Sequence, residues 1–164
     1  MDKVLFFELK DYARAQEALV RLAPEAQARG VVIGVENVWN NFLLSPLEMA
    51  RFLDEIDSPF VRAYFDIGNV VRTGEPADWI RTLGRRIARV HVKDFKRNGH
   101  LNSGGAFVDL GEGDVNWKDV IHALRHAGFK GYLTGEVFKP ESESDYLQYY
   151  QSVSQAMDAL LVYE

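Results

Sequence analysis

Apolar residues along this chain fall into short runs separated by longer stretches of helical period. Val31-Val32-Ile33-Gly34-Val35 is continuous, and further runs cover residues 61–66, 89–92 and 132–137. A continuous run, unlike an alternating one, suits a parallel strand covered on both faces. Between the runs the pattern changes. Ala13, Ala18, Leu19, Leu22 and Ala26 predict a helix over residues 11–29, capped by Gly30, with a kink or break at Pro24. Ser45-Pro46-Leu47-Glu48 is a helix start with a capping serine, a proline in the first turn and a glutamate three residues on. Leu47, Ala50, Phe52, Leu53 and Ile56 mark its buried face, and Asp57-Ser58-Pro59 ends it.

Three more helices follow. Glu75-Pro76 opens one containing Trp79, Ile80 and Leu83, which ends near Gly84. Asn116 caps one with Trp117, Val120, Ile121 and Leu124 inward, ending near Gly128. The last covers residues 145–161, with Tyr146, Tyr149, Tyr150, Val153, Met157 and Leu160 as packing positions. Residues 4–9 read as a strand or a lead-in, and the glycine-rich stretch 96–115 reads as one long functional loop. The order is a helix, then strand–helix four times, within one α/β domain over residues 1–164. Such alternation predicts a parallel sheet. A full (β/α)₈ barrel takes about 250 residues, so this chain provides about half of one, a (β/α)₄ unit with two open sheet edges.

Composition narrows the chemistry. The chain has no cysteine, which excludes disulfides, thiolate metal sites and thiol nucleophiles. The formal net charge of −5 argues against a nucleic-acid partner. No apolar run reaches the roughly 20 residues of a membrane span, and no signal-peptide profile opens the chain, so no membrane association and a cytoplasmic location are the default expectation.

What the strand runs share is their ends. Glu36 follows Gly34-Val35, Asp66 follows Tyr64-Phe65, Glu136 follows Thr134-Gly135, and His91 alternates with Val90 and Val92. A carboxylate at a loop start is ordinarily a cap or an ion-pair partner. Three carboxylates and one imidazole, each at the carboxyl end of a strand, instead form a mostly hard ligand set. It suits Mn²⁺ first, with Mg²⁺, Co²⁺ and Zn²⁺ also compatible. Such a cation would polarise a carbonyl.

Glu36-Asn37, Phe65-Asp66-Ile67-Gly68-Asn69, His91-Val92-Lys93-Asp94 and Gly135-Glu136, in this order and spacing, resemble the sugar-phosphate isomerase/epimerase family of xylose-isomerase-like TIM barrels. Ketose 3-epimerases, L-ribulose-5-phosphate 3-epimerases and hexulose-6-phosphate isomerases are the members most alike. The resemblance implies strands five to eight of that barrel, with a divalent metal held by Glu36, Asp66, His91 and Glu136. It also implies epimerisation or isomerisation of a ketose or ketose phosphate through a cis-enediolate. Glu36 and Glu136 would serve as the acid/base pair. Arg97 matches a substrate-contacting arginine, and with Lys93 and Lys96 it is expected to form a phosphate site. Trp39 and Asn40 are expected to shape the sugar pocket. Asn69, expected as a substrate contact, stands where tagatose 3-epimerases carry a histidine, a departure that leaves this chain without that histidine's role on the substrate.

Alternatives remain at this level: a non-catalytic truncated half-barrel that binds metal or sugar, a polyol dehydratase, or an endonuclease IV-like nuclease. The nuclease would need further histidines for its metal cluster. The missing half predicts either a homodimer of half-barrels or a longer chain that supplies the first four strands.

Overall fold

The computed structural model describes the backbone of residues 2–137 and 144–163, with side chains from residue 11 onward in those ranges. Helix α1 spans Asp2–Arg29, so residues 4–9 are helical and neither strand nor lead-in, and the helix continues through Pro24. Its inward face is Tyr12, Ala15, Leu19, Ala23 and Ala26, whereas Ala13 and Leu22 point to solvent. The sheet is then laid down as β1 (Ile33–Glu36), β2 (Val61–Asp66), β3 (Ile87–Val92) and β6 (Leu133–Gly135), all parallel, in the order β1-β2-β3-β6. Two of the expected strands are shorter than their apolar runs. Val31 and Val32 precede β1 and are exposed, and Tyr132 lies outside β6.

Helices cover one side only. These are α2 (Pro46–Ile56), α4 (Pro76–Leu83) and α5 (Trp117–His126), with short α3 (Ile67–Val71) following β2 and α6 (Tyr146–Leu161) closing the described chain. The Ser45 hydroxyl accepts the Glu48 amide and Pro46 sits in the first turn, as the sequence predicts for α2. Its buried face is Met49, Ala50, Phe52, Leu53 and Ile56; Leu47 is 73% exposed. With Ile80 and Leu83 of α4 and Val120 of α5, these side chains close over Ala63, Phe65, Val90 and Val92, none of which is more than 1% exposed. On α6 only Tyr149 and Leu160 are buried; Tyr146 and Tyr150 lie on the surface and do not pack inward. Among the described residues no helix is long and apolar enough to cross a membrane.

Two departures from the predicted pattern shape the site. The expected loop 96–115 contains an antiparallel hairpin, β4 (Asp94–Arg97) with β5 (Gly105–Val108). Asp94, fully buried, anchors it: its carboxylate accepts the backbone amides of Phe95, Gly111, Gly113 and Val115 and the indole N–H of Trp117. A side chain at Gly113 would collide with that carboxylate, so glycine is required there. The second departure is a bulge. Ala63 pairs with Ile87 but Tyr64 pairs with Arg89, so β3 carries one extra residue, Ala88, against β2. From that point Asp66 lies beside His91 and not beside Val90.

Candidate metal centre

Each of the four predicted ligands stands at the carboxyl end of its strand. Glu36 ends β1, Asp66 ends β2, His91 is the penultimate residue of β3, and Glu136 follows β6, its amide donating to the Val92 carbonyl at 3.0 Å. One donor atom from each lies within 4.8 Å of the others. His91 Nδ1 is 2.9 Å from Glu36 Oε1, 3.4 Å from Glu136 Oε2 and 3.8 Å from Asp66 Oδ2. The Tyr64 ring packs against the imidazole with centroids 4.0 Å apart and restricts its tilt.

Asp66 is built into the backbone. Its Oδ1 caps α3 by accepting the Asn69 amide at 2.8 Å. Its own amide donates to Asn37 Oδ1 and its carbonyl accepts Asn37 Nδ2, both at 2.8 Å. That leaves Oδ2, buried and without a hydrogen-bond donor, pointing at the other ligands. Lys93 Nζ lies 2.8 Å from this oxygen, an ionic contact that lacks hydrogen-bonding geometry, and 2.8 Å from Glu136 Oε2, to which it donates.

The electrostatics follow from burial. Desolvation pushes the Asp66 carboxyl up to about 7, against the Lys93 ammonium and the Asn69 amide, which favour the carboxylate. Burial also acts to raise Glu136, but hydrogen bonds from Lys93 and Asp66 and the nearby Lys93 and His91 charges outweigh it and hold that group below the ordinary glutamate range. Lys93 is itself desolvated, yet its two carboxylate partners raise it above the ordinary lysine value and keep it cationic.

The donor set fits a divalent cation. Asp66 Oδ2 is buried with ionic contacts to Lys93 and His91 but no hydrogen bond, and a metal ion is a partner that would satisfy it more fully. Donors on opposite sides of an ion with bonds of about 2.1 Å would stand about 4.2 Å apart, close to the 4.8 Å within which the four donor atoms lie.

The remaining predicted contacts scatter. Lys93 joins the ligand cluster, whereas Lys96 and Arg97 lie within 3.5 Å of Asp114, and Arg97 also approaches Glu75 and the Val71 carbonyl. The three cations therefore do not converge on one point. Trp39 is half exposed, donates to the Asn69 carbonyl and stacks on Phe107 at 5.2 Å. The Asn40 side chain accepts the Phe42 amide in a local turn. Asn69 donates its side-chain amide to the Asn37 carbonyl, tying the β1 and β2 loops together. Beside the ligands, a cavity of about 220 Å³ is lined by Lys93, Glu136, Phe107, Asp109, Glu112 and Tyr149, among others. Larger clefts of about 730 and 700 Å³ lie among Arg62 and Arg85 at the amino ends of the strands, away from this chemistry.

Asn37, Asp94 and Phe107 organise the site as well. Asn37 and Asp94 stand in the motifs quoted from the sequence but were given no role there, and Phe107 carries no signal in the sequence. Apart from Phe95, the partners of Asp94 lie 17 to 23 residues away and leave no local signature.

A family model described as a xylose isomerase-like TIM barrel matches residues 6–159. A D-psicose 3-epimerase of Enterocloster bolteae is 30% identical over 132 residues, covering 78% of this chain and 40% of that protein. An inosose dehydratase of Lacticaseibacillus casei is 23% identical over 179 aligned positions, covering 98% of this chain and 60% of that one. The crystal structure of D-psicose 3-epimerase with D-tagatose from Clostridium cellulolyticum H10 shares the fold. Its TM-score is 0.77 at 19% identity, over 95% of this chain and 57% of that one. The chain thus spans about half the length of these relatives.

Proposed function

The chain belongs to the xylose isomerase-like TIM barrel family, and from that premise we propose that it carries the metal-binding half of a sugar epimerase or isomerase acting on a ketose or ketose phosphate. The observation that carries the proposal is the convergence of Glu36, Asp66, His91 and Glu136 donor atoms within 4.8 Å. A divalent cation held there, Mn²⁺ in the first instance, supplies the positive charge that polarises the substrate carbonyl and makes the neighbouring C–H acidic. The chain's own residues do the proton work. One of Glu36 and Glu136 removes the proton beside the carbonyl, and the other returns one to the opposite face or to the adjacent carbon. Lys93 is the cation nearest the reacting oxygens. Trp39, Asn40, Asn69 and Arg97 are proposed as substrate contacts, Trp39 and Asn69 lining a separate cleft of about 310 Å³. The 220 Å³ cavity at Lys93 and Glu136 lies below the roughly 300–1,000 Å³ of complete small-molecule pockets. A second set of strands, from a partner copy or from a longer chain, would complete it.

Solvent-deuterium exchange into D-psicose or D-fructose with Mn²⁺ tests the reading. Exchange is expected in the wild type and not in Glu136→Gln; exchange that persists in the variant overturns the acid/base assignment. A second reading is metal or sugar binding without turnover, which metal uptake without exchange would establish. The 98% coverage against an inosose dehydratase favours elimination of water as a variant of the same proton abstraction, which product analysis on a cyclic polyol ketone distinguishes.

A further inference from the structure

Lys93 is built more carefully than a substrate contact at a rim requires. Its side chain is only 8% exposed. A Cβ at Gly68 would come within 2.5 Å of Lys93 Cγ and 2.9 Å of its carbonyl oxygen, so the stem runs through a slot that exists because residue 68 has no side chain. The Phe107 ring roofs the ammonium at 4.7 Å. The slot delivers Nζ to Asp66 Oδ2 and Glu136 Oε2, at 2.8 Å each. These are the same oxygens that approach His91 Nδ1, at 3.8 and 3.4 Å. The ammonium is therefore bound to two of the four atoms that would ligate a metal.

We propose that Lys93 is a tethered counter-ion that occupies the ligand set when no metal is bound and must withdraw from Asp66 and Glu136 for a divalent cation to enter. The inference rests on the metal-binding reading above. Three carboxylates gathered at strand ends repel one another, and one internal ammonium holds them together without metal. A divalent ion then competes with a cation that cannot diffuse away, so Lys93 weakens metal affinity while stabilising the metal-free protein. Withdrawal along the slot carries the ammonium toward the cavity it already lines with Glu112 and Tyr149.

Titration calorimetry with Mn²⁺ tests this on the whole chain. Lys93→Met, and Lys93→Gln as a second neutral variant, are expected to bind Mn²⁺ roughly 10–100-fold tighter, the scale on which groups beside metal ligands act. Both should melt at lower temperature than wild type without metal, and Lys93→Arg should retain the weaker affinity. Equal or weaker binding by the neutral variants overturns the competition and leaves the metal site standing. No Mn²⁺ binding by wild type or folded variants overturns both. A second measurement uses the wild type alone: acetylation of the Lys93 amine, followed by mass spectrometry, is expected to rise when Mn²⁺ is added. Unchanged or reduced labelling overturns the withdrawal.

Discussion

On the helix-covered face of the sheet Ala63, Phe65, Val90 and Val92 are sealed from solvent, whereas on the opposite face Gly34, Arg89 and Thr134 are exposed and Tyr64 and His91 only half-buried. The same four strands supply both faces by simple alternation. One face gains its stability by burying apolar area; the other spends its positions on carboxylates, an imidazole and a lysine whose desolvation is offset where Lys93 pairs with Asp66 and Glu136. Stability and chemistry are thus assigned to opposite sides of a sheet one residue thick, and they should be separable by mutation.

The sharpest break lies on the open face. Glu136→Gln removes the proposed ligand and proton-transfer group together and is expected to lower ketose proton exchange by at least ~10²–10⁴, while urea denaturation shows a folded chain. A parallel collapse of the unfolding transition would mean that the faces are not independent. Phe65→Ala, fully buried on the covered face, should cost about 3–5 kcal/mol in urea unfolding, with Mn²⁺ affinity little changed in the fraction that stays folded. Asp94→Asn tests the link between the faces. An amide N–H₂ turned toward the donors that Asp94 now satisfies should cost about 1–3 kcal/mol, seen by urea unfolding and by a shift in Trp117 fluorescence as the hairpin loosens.

The smallest effect belongs to neither face. Asp54 and Arg86 form a two-pronged pair at 2.7 Å near the amino ends of the strands. The guanidinium holds the Asp54 carboxyl below the ordinary aspartate range, with burial acting weakly the other way. A depressed acid stabilises the fold above its unfolded-state value, and that contribution is lost as pH falls through the folded-state value. The gap in melting temperature between wild type and Arg86→Ala should therefore be present at neutral pH and vanish well below about pH 4. Being solvent-exposed, the pair should be worth no more than about 1 kcal/mol.

Much of the covered face was legible in the sequence because burial and period coincide there: the Ser45 cap, the α4 and α5 faces and the apolar strand runs all recur in the structure. The four residues whose donor atoms converge were legible too, since each interrupts an apolar run at a strand end. Errors arose where one residue type serves two environments. Leu22 and Leu47 fit a helical stripe but face solvent, and the continuous run at β1 suggested cover on both sides where the chain provides it on one. The β4–β5 hairpin went unread because Asp94 organises it through backbone amides, which leave no mark in side-chain pattern. Lys93 was grouped with Lys96 and Arg97 by proximity in sequence, yet a strand end sends neighbouring side chains to different places.

The extra residue at Ala88 carries a consequence for how this chemistry is written into the chain. Were β3 to pair with β2 without that bulge, every residue would still be present, yet Val90 would sit beside Asp66 and the imidazole would turn toward the helices. The centre is thus encoded by a count of residues as much as by their identities. A comparison that scores only matched letters would not register such a slip.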